Sequence, residues 1–109
     1  MDQQKRGEYL EIEWTRPGWE NLIKELDSKL SELDPNYTID QIKEKFGGLR
    51  YYISTDSKNA DKMFQLEIEY ERKSFTICEY CGSEEDVTTE GGWLKTLCKN
   101  CRLDFKPRF

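Results

Sequence analysis

The chain has 109 residues, 36 % of them charged and 36 % hydrophobic, and a formal net charge of −5. That size bounds it to one domain, or a small domain with a metal-bound appendage, and its acidity argues against generic nucleic-acid binding. No apolar run approaches membrane-spanning length and residues 1–6 hold no apolar signal core, so the expected location is the cytoplasm, without a membrane partner.

Leu10, Ile12 and Trp14 alternate with Glu11 and Glu13, the pattern of a half-buried strand; an extended lead-in that docks its aromatics is the other reading. Pro17, Gly18 and Trp19 then open a helix, with Thr15 as its cap and Pro17 in the first turn, where a missing N–H does no harm. Trp19, Leu22, Ile23, Leu26, Leu30 and Leu33 recur along one stripe, the core face of that helix. Asp34-Pro35-Asn36 stops it.

Tyr37, Ile39 and Gln41 alternate with Thr38 and Asp40, and Leu49, Tyr51 and Ile53 alternate with Arg50, Tyr52 and Ser54. The second run is a strand. The first is either the other arm of a hairpin turning near Phe46-Gly47-Gly48, the preferred reading, or a short helix opened by a Thr38-x-x-Gln41 capping box. Residues 60–73 carry mixed periodicity but mostly strong helix formers, and their length favours a helix over a strand.

All four cysteines fall in two Cys-x-x-Cys knuckles, Cys78/Cys81 and Cys98/Cys101, with sixteen residues between them. Two such turns brought together give a tetrahedral all-sulfur cage, which suits zinc. Disulfides and inert core thiols are the competing readings; paired knuckle spacing and the missing secretory signal argue against disulfides. Between the knuckles, Val87-Thr88-Thr89 and Trp93 to Leu97 read as strands joined by Gly91-Gly92, the layout of a zinc ribbon. The expected fold class is therefore α+β: a small helix and β-hairpin domain over residues 1–76, with a C-terminal four-cysteine zinc ribbon over 77–109.

A closed shell of four cysteines is a structural site, since catalytic zinc keeps one position open. The chain also lacks histidine, the commonest general base. Lys43, Glu44, Lys45 and Arg50 cluster near the Gly-Gly turn, but no nucleophile stands beside them. No enzyme activity is expected. An acidic chain with 13 % aromatic residues suits a protein-binding module, and Lys43, Lys45, Arg50, Tyr52 and Trp93 are its candidate partner-binding residues. The alternative is nucleic-acid binding by the ribbon, whose C-terminal face interleaves Trp93, Phe105 and Phe109 with Lys95, Lys99, Arg102, Lys106 and Arg108.

Three stretches together resemble a family of small zinc-ribbon proteins of bacteriophages, prophages and bacteria. They are Pro17-Gly18-Trp19, then Ile42-Lys43-Glu44-Lys45-Phe46-Gly47-Gly48-Leu49-Arg50, and Cys78-x-x-Cys81-Gly82 with Gly91-Gly92-Trp93-Leu94-Lys95-Thr96-Leu97-Cys98-x-x-Cys101. The middle stretch is the most specific, because generic zinc ribbons lack it. Some members end the site with histidine, where this chain has Cys101. The family carries no established activity; the resemblance implies a zinc ribbon and a phage-type protein that contacts or inhibits a host protein in the host cytoplasm.

Overall fold

The computed structural model describes residues 16–91 and 94–104. The expected strand over Leu10 to Trp14, the Thr15 cap, Trp93, and the aromatic and basic residues from Phe105 onward lie outside the described residues.

A single 3-10 turn, Pro17–Trp19, leads into helix α1, Glu20–Leu33. Pro17 sits in the first turn, where its locked φ suits the helix. The apolar stripe faces inward as its spacing requires: Trp19, Ile23, Leu26 and Leu30 are all fully buried. The Asp34 N–H donates to the Leu30 carbonyl, and Asp34 Oδ1 accepts the Asn36 N–H at 2.9 Å, which turns the chain out of the helix.

Strands β1, Thr38–Lys45, and β2, Gly48–Ser54, pair as an antiparallel hairpin, so the hairpin reading holds and the short-helix reading does not. The register slips between Ile39 and Gln41. This bulge adds one residue, so Ile39 and Ile42 both face the core although they are three apart. Simple alternation through Gln41 fails there, and Gln41 is exposed. On β2 the alternation is intact: Leu49, Tyr51 and Ile53 point inward, Arg50 and Tyr52 outward.

Helix α2, Ala60–Ser74, closes the core with Met63 and Tyr70. It also runs along the edge of β2. Ser74 Oγ accepts the Leu49 N–H at 2.9 Å, and the Glu67 carboxyl stands against the Ile53 N–H. Side chains of this helix thus cover backbone donors that a further strand would have taken.

The remaining elements form the ribbon: β3, Val87–Glu90, pairs antiparallel with β4, Lys95–Cys98, and a short helix α3, Lys99–Asp104, follows. The whole is α+β, two helices and a hairpin around one core, with a second hairpin between the cysteine knuckles.

Candidate metal centre

The knuckles bring Cys78, Cys81, Cys98 and Cys101 together, with their sulfurs all within 4.8 Å of one another. Each knuckle is shaped by its own backbone. The Cys81 N–H donates to Cys78 Sγ at 3.5 Å, and the Cys101 N–H donates to Cys98 Sγ at 3.4 Å. Gly82, at φ 83°, turns the chain after the first knuckle where other residues would be strained.

A metal fits this cage. Zinc–sulfur bonds of about 2.3 Å in a tetrahedron put the sulfurs about 3.8 Å apart, and Cys81 Sγ lies 3.6 Å from Cys98 Sγ. Electrostatics agree. Burial opposes ionisation of Cys78, yet N–H groups of Cys81, Cys98 and Tyr80 outweigh it and bring the thiol down to about 7. Burial and the three neighbouring thiols push Cys101 up. Cys78 thus ionises readily while Cys81 and Cys101 resist, and a bound cation would favour the thiolate form.

The cage is bolted to the helical core through Glu79, inside the first knuckle and buried. Its carboxylate accepts the Thr96 N–H at 3.0 Å, while its own N–H donates to the Thr96 carbonyl at 2.9 Å. Arg16 lies 3.2 Å from the Glu79 carboxylate and 3.0 Å from that of Glu44 on β1. Burial raises the Glu79 pKa, and the Thr96 N–H and the Arg16 charge work against that rise. The Gly18 N–H donates to the Glu79 carbonyl at 2.9 Å, and Trp19 Nε1 donates to the Ile77 carbonyl at 3.0 Å.

Phe46-Gly47-Gly48 is the socket for the ribbon. Thr96 Oγ1 donates to the Gly47 carbonyl at 2.5 Å, and Glu44 accepts the Gly47 N–H at 2.7 Å. A Cβ on Gly47 would stand 2.6 Å from a Thr89 methyl, and one on Gly48 would stand 2.4 Å from the Phe75 ring. Both glycines are required by close approach, and Gly47 also by its φ of 87°.

The basic residues near that turn do different things. Arg50 bridges to Glu71 of α2 at 3.3 Å. Lys43 lies over the Tyr52 ring and Lys45 over the Phe46 ring, at 5.9 and 5.7 Å from the centroids. Tyr52 is 38 % exposed, whereas Tyr51 is buried and exchanges a hydrogen bond with Tyr37. On the ribbon, the guanidinium of Arg102 donates to the Thr88 carbonyl at 2.5 Å and the Lys95 carbonyl at 3.1 Å, so it clamps β3 to β4 from within.

Sequence spacing gave no sign of Arg16, Glu79, Thr96 or Arg102 as structural partners of the centre. Thr96 is fully buried beside the buried Leu97 and Cys98, a placement that strand alternation does not express. Among the described residues no helix is long and apolar enough to cross a membrane. The chain matches no family model, no curated protein and no solved structure.

Proposed function

We propose that the chain is a zinc-held binding module that acts by contacting a protein, without catalysis of its own. The observation that carries the metal half is the cage of four thiols within 4.8 Å of one another, close enough to converge on one metal ion. Zinc fastens the ribbon, and the ribbon packs on the Gly47 turn of the hairpin through Thr96. The hairpin's outward residues Lys43, Lys45, Arg50 and Tyr52 are the contact surface in this reading. The resemblance to phage and prophage zinc-ribbon proteins supports a small accessory protein directed at a host protein.

The use of Arg102 inside the ribbon weighs against the nucleic-acid alternative, because one of the cations that reading needs is committed to backbone carbonyls. Elemental analysis of purified protein should find one zinc per chain. A pull-down from bacterial lysate with nuclease should retain a host protein. Folded protein without metal overturns the first half, and retention of nucleic acid alone overturns the second.

A further inference from the structure

Facing α2, the hairpin carries a two-part surface that the core does not use. On β1 and β2 the outward positions hold Lys43 paired across from Arg50, and Gln41 paired across from Tyr52. Gly48 projects to that same outer side, and the Phe75 ring stands where its side chain would be. The outer side of the hairpin therefore continues onto α2.

Helical spacing says which residues of α2 meet it. Glu67, Glu71 and Ser74 line the flank against β2, as their contacts with Ile53, Arg50 and Leu49 require. Phe64 and Ile68 lie next round the helix, on the side shared with Phe75 and away from the buried Met63 and Tyr70. Phe64 is 42 % exposed and Ile68 52 %. Two exposed apolar side chains of α2 thus lie just past its β2 flank, Tyr52 is exposed on β2, and Lys43 and Lys45 lie on β1.

The charges are divided along the hairpin: Asp40 and Glu67 stand near Ile53, and Lys43 and Lys45 lie toward the turn. Glu71 is taken by Arg50, and Asp40 accepts the Ser54 hydroxyl. Among the described residues, no carboxylate lies within ion-pair distance of Lys43 or Lys45. This cationic strip sits on a chain with net charge −5. An aliphatic Ile68 offers nothing for a base to stack on, whereas it suits an apolar peptide side chain.

We propose that this surface docks an acidic amphipathic protein segment, its carboxylates meeting Lys43 and Lys45 and its apolar side chains covering Tyr52, Phe64 and Ile68. The proposal rests on the reading of the chain as a zinc-held binding module and names the chemistry of its partner. Charge complementarity of this kind sets which partner is accepted and how fast it arrives.

The test is selection from a random peptide library on the immobilised full-length, zinc-loaded protein. Acidic peptides with interspersed large apolar residues should be enriched. Their affinity should fall about tenfold or more in K43E/K45E and in Ile68→Asp, and hardly change in Lys24→Glu, on the exposed side of α1. Melting temperature and zinc content of each variant show that the fold is kept. Enrichment of basic peptides, no enrichment, or peptides that bind all variants alike would overturn the docking surface. So would a single-stranded oligothymidylate that binds more tightly than the peptides and is lost in K43E/K45E. The zinc reading stands or falls separately: metal-free protein that still folds and selects acidic peptides refutes the metal and leaves the surface in place.

Discussion

Replacing Gly47 with valine tests whether the ribbon is seated on the hairpin turn. Two costs add. A left-handed backbone at φ 87° costs a residue with a Cβ about 1–2 kcal/mol. The added Cβ would also meet a Thr89 methyl at 2.6 Å and Thr96 Oγ1 at 3.0 Å, an overpacking that costs about 1–3 kcal/mol. The expected loss is about 3–4 kcal/mol, which for a domain of this size is at least about 12 °C in Tm. Gly47→Asn separates the two costs, since asparagine tolerates the left-handed region and still collides; it should fall between wild type and valine. Thermal unfolding of zinc-loaded protein reads both. Zinc affinity should drop alongside, about tenfold for each 1.4 kcal/mol that reaches the ribbon, measured by competition with a chelator. A valine variant that melts within a few degrees of wild type would refute the seating of the ribbon on this turn.

Other outcomes follow from particular contacts. Burial, with Asp40 nearby, lifts the Glu67 carboxyl to about 7 against the Ile53 N–H that favours its ionised form. The folded pKa lies above the unfolded one, so stability is fullest below about pH 4.5 and declines as pH rises through about 7. Glu67→Gln should flatten that decline in a denaturation series across pH, by about 1–2 kcal/mol after allowance for solvent screening of a half-buried group; an unchanged pH profile would refute it. Arg102→Ala should remove the β3–β4 clamp and cost about 1–2 kcal/mol, read as faster amide exchange in Thr88 and Lys95 with α1 unaffected. Cys98→Ser should abolish stoichiometric zinc and loosen the ribbon, while the circular dichroism of α1 and α2 persists. Arg50→Ala breaks a half-exposed ion pair with Glu71 and should shift stability by no more than about 1 kcal/mol; unfolding would mark Arg50 as a core cation instead.

The elements that sequence foretold are those whose burial is periodic. Trp19 to Leu30 repeat at helical spacing, Leu49 to Ile53 at strand spacing, and the cysteine knuckles close on one point, because in each case local geometry alone decides which side chains meet. Four features escaped for the same physical reason: they depend on what another element brings. The Asp40 bulge is forced by the need to bury both Ile39 and Ile42, which alternation cannot express. Gly47 and Gly48 are legible as a hairpin turn, but only the fold supplies the neighbours that crowd them, Thr89 and Phe75. Nothing in the spacing of Glu79, between two knuckle cysteines, tells that in the fold it turns inward to Thr96 and Arg16. The pairing of Arg16 with both Glu44 and Glu79 spans separations no short-range pattern records.

The way α2 closes one edge of the hairpin limits what the protein can assemble into. A two-stranded sheet ordinarily has two edges from which growth can proceed, and growth from both is how sheets polymerise into fibres. Here Ser74 accepts the Leu49 amide and Glu67 stands against the Ile53 amide on the β2 side. A further strand could join at that edge only by displacing α2. Copies of the chain therefore cannot pass strand pairing on through β2, and the sheet does not propagate from molecule to molecule by that edge.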